Sequence, residues 1–360
     1  MSNGVGSLLG SHPLLWAWLL VAAACGLDRL IGDPRWSPHP VVVMGWWISR
    51  LQRLVEYGAG DRPWLLRLGG VLITVLLVGV SALAGWSLEQ LVQSGQAMGT
   101  GWAWVGGAVL SIALASALAG RSLAQAVQAV LVALPTAGLA AARQRLGWIV
   151  GRDTTELNEA EILRAAAETA SENAVDGQFA PLFWMLAGAG LWGLNPALPG
   201  PLALAWGFKA ASTLDSMLGY RRGRLQWLGT AGARLDDLLV WLPCRLVALS
   251  LPLVQPWPIH WWTQVRASLR DGKPDPSPNA GVSQAAYAHA AQVQLGGRNR
   301  YAEGWKNKPV LAAGQAPADA TAVERILKLT RRLSLLWLAL SGVAVLSGVT
   351  VAGLRACAAQ

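Results

Sequence analysis

Glu168, Glu172, Asn173 and Asp176 fall within nine positions of a chain that is 53% hydrophobic. With Ile162–Asn173 helical, Glu161, Arg164, Glu168 and Glu172 follow at spacings of three, four and four, so they share one face. Two like charges one turn apart repel unless a cation lies between them. Carboxylates beside an Asn and an Asp suit a hard, oxygen-preferring cation such as Mg²⁺. Glu168, Glu172, Asn173 and Asp176 are therefore expected to bind metal. The competing account is a solvated helix face just outside a membrane. The immediate step from carboxylates to the apolar Phe179–Trp184 makes a site at a membrane surface at least as good an explanation.

Two further acid clusters have the same setting. Asp215 follows Lys209 and precedes Arg221, and Asp236-Asp237 follows Arg234; each borders an apolar stretch. One such cluster reads as capping or snorkelling charge. Three favour an assembled polar site, because charges near lipid are costly unless they are used. His39 lies between Pro38 and Pro40, near Asp28 and Asp33, on a turn too proline-rich to continue a helix. Such a fixed His is a candidate for phosphate or proton handling. Asp271–Gly281 reads as a turn-rich loop, and Gly296–Tyr301 as a glycine loop with exposed donors, suited to an anion.

The elements that must position these residues are membrane helices. Only 14% of the 360 residues are charged, and there are 20 Trp against 3 Phe. A soluble chain would carry about 25% charged residues. The net charge of +9 lies between apolar segments rather than in an aromatic-laced stripe, so it speaks for membrane topology and not for nucleic acid. Cys25, Cys244 and Cys357 form no CxxC pair or zinc spacing. The start of the chain lacks a basic signal-peptide region, so Leu14–Leu27 is expected to be a retained span. Leu68–Trp86, Trp102–Ala119 and Leu333–Leu354 are the other clear spans. Gly107, Ser111, Ala115 and Ala119 make a small-residue seam in the third.

Ser122–Leu134 reads as amphipathic and stopped by Pro135. Phe179–Leu194 and Leu198–Leu214 are short for crossings and read as a re-entrant hairpin or two short spans. Leu238–Val254 is apolar but contains Pro243, Arg245 and Pro252, which leaves its crossing open. Val282–Leu295 is expected to be helical. The expected fold class is all-α: one polytopic integral membrane domain over residues 1–360, with about four to six spans plus re-entrant or amphipathic helices and cytoplasmic loops. The excess of Lys and Arg puts 121–178, 207–237 and 255–332 in the cytoplasm, carrying the site. There is no P-loop, HExxH, GxSxG or Rossmann fingerprint. What remains suits transfer chemistry on a phosphate-bearing substrate.

Six segments carry a family resemblance: DRLIGDPRWSPHPVVVMG (Asp28–Gly45), RAAAETASENAVDGQFAPLFW (Arg164–Trp184), FKAASTLDSMLGY (Phe208–Tyr220), GARLDDLLVWLPCRL (Gly232–Leu246), DPSPNAG (Asp275–Gly281) and LGGRNRY (Leu295–Tyr301). In this order they resemble the cobinamide-phosphate synthase family of cobalamin biosynthesis, the CbiB/CobD membrane family. Phe208, Cys244 and Ala288-His289 depart from its usual residues. The resemblance implies a ligase of the plasma (inner) membrane. It would join 1-amino-2-propanol or its O-phosphate to a carboxylate of adenosylcobyric acid, with ATP and Mg²⁺. The corrinoid, the amine and the bilayer are the implied partners, together with other enzymes of the pathway.

On this reading Glu168, Glu172, Asp215, Asp236 and His39 are catalytic, His39 as base or phosphate ligand. Glu168, Glu172, Asn173, Asp176 and Asp237 hold metal. Lys209, Arg221, Arg234, Asn279 and Asn299 bind the phosphates of the nucleotide or amine. An Asp-motif phosphotransferase or prenyltransferase and a transporter-like subunit are the rivals. The first lacks clean DxxD spacing, and the second would place its acids in mid-span.

Overall fold

The computed structural model describes residues 12–32, 39–95, 99–257, 260–301 and 304–358. In chain order the helices are α1 (Pro13–Leu30), α2 (Pro40–Ala59), α3 (Pro63–Gly95), α4 (Thr100–Ala115), α5 (Gly120–Gly147), α6 (Glu159–Ala174), α7 (Ala180–Leu194), α8 (Pro201–Leu218), α9 (Leu225–Leu228), α10 (Thr230–Ser250), α11 (Trp261–Gly272) and α12 (Ala280–Ala291). A small sheet follows, with β1 (Val293–Tyr301), β2 (Gly304–Leu311) and β3 (Ala316–Pro317), and then α13 (Ala320–Ala358). Among the described residues five segments are long and apolar enough to cross a membrane: Pro13–Leu30, Pro63–Gly95, Gly120–Gly147, Thr230–Val254 and Ala320–Thr350. The chain is an all-α polytopic membrane protein carrying one small sheet.

Several expectations need correction. The third apolar stretch is helical only over Thr100–Ala115, which is short for a crossing of about 20 residues. Its seam is real at Gly107, where an added β-carbon would stand 2.7 Å from the Trp16 ring of α1. Pro135 does not stop α5. The backbone leaves helical geometry three residues later, at Gly138 (φ 79°), a conformation open to glycine. Pro243 likewise lies inside α10. Helix α12 ends at Ala291, and Val293 onward is strand, where helix was expected to Leu295. Asp33, Pro34 and Pro38 of the proline turn lie outside the described residues.

The chain gathers into two compact units. The first comprises Met1–Ala119, Pro181–Leu239 and Leu338–Gln360, and the second Gly120–Ala180 and Val240–Trp337. In the first, Met44 and Ile48 of α2, Ile73 and Leu77 of α3, Ala210, Leu214 and Leu218 of α8, and Leu228 of α9 form a core. Helices α3 and α8 approach closely, since a β-carbon at Gly85 would lie 2.9 Å from the Ala203 backbone.

Glu89, on the last turns of α3, holds the start of α8. Its carboxylate is buried and accepts from the backbone N–H groups of Gly200 (2.9 Å), Leu202 (2.6 Å) and Ala203 (3.4 Å). Those donors have no partner within their own helix, and a carboxylate also complements the helix dipole. Trp86 donates to Ala197 O and Gln90 to Pro196 O, so three residues of α3 grip the loop before α8. Replacing Glu89 by Ala strands these buried donors and is expected to cost about 2 kcal/mol or more. The unfolding midpoint of the detergent-solubilised protein measures this; an unchanged midpoint would deny Glu89 that role.

In the second unit α5 packs on α6, and α11 on α12. Helix α12 is alanine-rich and buried along most of its length, so its neighbours approach closely. Strand β1 pairs antiparallel with β2 and, at Val293–Gln294, parallel with β3. A register irregularity lies between Leu295 and Gly297.

Candidate functional site: two polar clusters

Helix α6 starts with a capping box, Asn158 Oδ1 accepting from Glu161 N and Glu161 from Asn158 N. It delivers Arg164, Glu168 and Glu172 one turn apart and then passes into a π-helical turn, Val175–Phe179, that carries Asp176. Such turns are uncommon and recur at functional sites.

Glu168 and Glu172 share a helix face but not a fate. Glu168 is wholly buried (0% exposed) and paired with Arg152 (9%). Its other oxygen accepts from Gly296 N at 2.9 Å. Arg152 also donates to Asn299 Oδ1 at 2.8 Å, and Arg164 donates to Asn299 Oδ1, Gly296 O and Arg298 O. Glu168 thus ties β1 to α6, and a metal ion reaches it only by displacing Arg152.

The presumed glycine loop is strand β1. Gly296 takes φ 83°, and a β-carbon there would meet Pro309 O at 1.9 Å. Asn299 is not an exposed donor. It is 2% exposed, and its Nδ2 is buried without a hydrogen-bond partner among the described residues.

Glu172 is half-buried. Its Oε2 accepts from Gln284 of α12 at 2.7 Å. Burial raises its pKa, and the Asp275 and Glu168 charges add to this against the opposing Lys308 charge and the Gln284 hydrogen bond. Lys308 of β2 (22% exposed) pairs with Asp275 (5%) at 3.1 Å. Burial alone would lower the Lys308 pKa; Glu172 and Asp275 outweigh it and hold the ammonium charged. Asp275 is itself fixed by Ser277 N at 3.0 Å. Asn279 is buried, and its Oδ1 accepts from Arg245. Asn173 donates to Thr169 Oγ1 at 3.1 Å, beside Glu172.

The second cluster lies in the other unit. Asp215, Asp237 and Lys209 are within electrostatic reach of Asp236, and Arg221 of Asp237. Gly232 allows the approach of α10 to α8, its β-carbon position lying 3.0 Å from Leu214 Cβ. Asp236 Oδ1 is buried with no hydrogen-bond partner among the described residues. Arg221 and Arg234 are exposed. His39 is the N-cap of α2, its Nδ1 accepting from Val41 N at 3.3 Å.

Among the described residues no three His, Cys, Asp or Glu side chains gather as round a protein-held metal. Glu172 feels the charge of Asp275, and Asp236, with its orphaned oxygen, feels those of Asp215 and Asp237. Mg²⁺ is commonly held by one or two carboxylates, with phosphate oxygens and water completing its shell. Donor sets of this size could hold Mg²⁺ together with phosphate oxygens.

Arg152, Gln284, Lys308 and Glu89 are not marked by the sequence, and Asp275 is marked only as the start of DPSPNAG. Gln284 left one trace, as a lone amide in an alanine-rich helix. Lys308 and Arg152 left none, since their partners lie far along the chain.

The family described as CobD/Cbib protein matches residues 21–330. The chain is 39% identical over 337 residues to "Cobalamin biosynthesis protein CobD" of Synechocystis sp., covering 94% of each chain. It is 38% identical to "Cobalamin biosynthesis protein CbiB" of Salmonella typhi, over 90% of this chain and 95% of that one. It is 41% identical to the CobD of Geobacter metallireducens, over 85% and 90%. No solved structure matches it significantly. By these matches along nearly its whole length, the chain belongs to the CobD/Cbib protein family.

Proposed function

We propose that this protein works in cobalamin biosynthesis as an adenosylcobinamide-phosphate synthase. It would join aminopropanol, or its O-phosphate, to a carboxylate of adenosylcobyric acid with ATP. The observation that carries this is the near full-length match to relatives named as cobalamin biosynthesis proteins. The residues support the class of chemistry. A carboxylate is a poor acyl donor, and ATP makes it a good one: a carboxylate oxygen attacks the terminal phosphorus and ADP leaves. The free amine then attacks the acyl carbon, phosphate departs and the amine proton is lost.

Glu172 and Asp176, with Asn173 between them, would hold Mg²⁺ with the nucleotide, while Glu168 positions their helix. Magnesium, when bound, neutralises phosphate charge. Asp215, Asp236 and Asp237 would hold the amine as its ammonium form before it is deprotonated. Lys209, Arg221 and Arg234 would contact a phosphate on it. The Lys and Arg bias would turn these clusters toward the cytoplasm, and the family resemblance would place the protein in the plasma (inner) membrane. Purified protein given adenosylcobyric acid, aminopropanol phosphate, ATP and Mg²⁺ should yield the amide by mass, and none without ATP. Product formed equally without nucleotide would reject the ATP-dependent reading.

A further inference from the structure

We infer that Lys308 of β2 is the contact for the terminal phosphate of the nucleotide. The inference rests on the ATP-dependent function proposed above. Four side chains from four elements converge: Glu172 from α6, Asp275 from the loop after α11, Gln284 from α12 and Lys308 from β2. Two carboxylates face one ammonium, so the group is one negative charge in excess when all three are ionised. A cluster with surplus carboxylate beside an ammonium is complementary to a metal–phosphate pair, which presents positive and negative charge side by side. Lys308 is 22% exposed and Asp275 5%, so the lysine is the more open member of the pair and Asp275 its buried anchor. Charge gathers on the terminal phosphate during transfer, and a lysine beside it stabilises that charge.

A plain structural ion pair explains the Lys308–Asp275 contact equally well at first sight. The two accounts separate under substitution. A structural pair costs folded protein when either member is removed and regains most of it when both are. A phosphate contact needs the lysine and not its partner.

The test uses the full-length protein in detergent, equilibrium dialysis with Mg²⁺ and either ATP or ADP, and size-exclusion chromatography for folded yield. Lys308→Met should weaken ATP binding by about tenfold or more and ADP binding by less than about threefold, because only ATP carries the contacted phosphate. Lys308→Arg should fold and keep most of the ATP affinity. Asp275→Asn, which releases the ammonium, should hold or raise it. ATP binding unchanged in Lys308→Met, or an equal loss of ATP and ADP, overturns the inference and leaves the proposed function standing. If Lys308→Met does not fold, Asp275→Asn decides, and a tenfold loss of ATP affinity there overturns it. Wild-type protein that binds no Mg²⁺–ATP overturns both readings.

Discussion

Glu172→Gln is expected to reduce amide formation by about 100-fold or more, with the amount of membrane-inserted protein unchanged. The substitution preserves shape, and a glutamine oxygen can still accept from Gln284 Nε2, so the contact to α12 survives. What is lost is a negative charge, in a group whose burial already raises its pKa. Loss of activity therefore reports charge and not packing. Product is quantified by mass at equal membrane protein, with wild type as reference. Full activity in the variant would remove Glu172 from the chemistry. Glu168→Gln, one turn earlier, should behave differently. It breaks the buried pair with Arg152 and should be felt first in stability.

That contrast marks how far the residues alone could be read. Hydropathy located α1, α3 and α13, because a long apolar run has few alternatives in water. The acidic face of α6 was legible from spacing. What spacing could not separate was Glu168 from Glu172, since their difference lies in partners remote along the chain: Arg152 and Gly296 for one, Gln284 for the other. Gly296-Gly297 reads as a loop by composition. Here their positive φ angles are used within a strand, at the register irregularity where β1 meets β2. Pro135 promises a stop, yet the chain bends at Gly138, where no β-carbon opposes it. Glu89, the single acid of α3, carries no signal in the sequence. Its value comes from the α8 donors, which exist only in the folded unit.

Arg152→Met should lower the unfolding free energy by about 3–5 kcal/mol, because it leaves the fully buried Glu168 carboxylate without its counter-charge. The size of the loss lies in the stranded partner, since a buried pair gains little overall but costs much when half of it goes. The double variant Arg152→Met with Glu168→Gln is therefore expected to recover most of the loss. A neutral amide at 168 needs no counter-ion, and its oxygen can still accept from Gly296 N. Asn299 loses the Arg152 donor in both variants but keeps that of Arg164. Denaturant midpoints of the solubilised protein distinguish the cases. If the double variant is as unstable as the single, the worth of Arg152 lies in fixing Asn299 on β1 rather than in neutralising Glu168. The strand, not the carboxylate, would then be what α6 is held against.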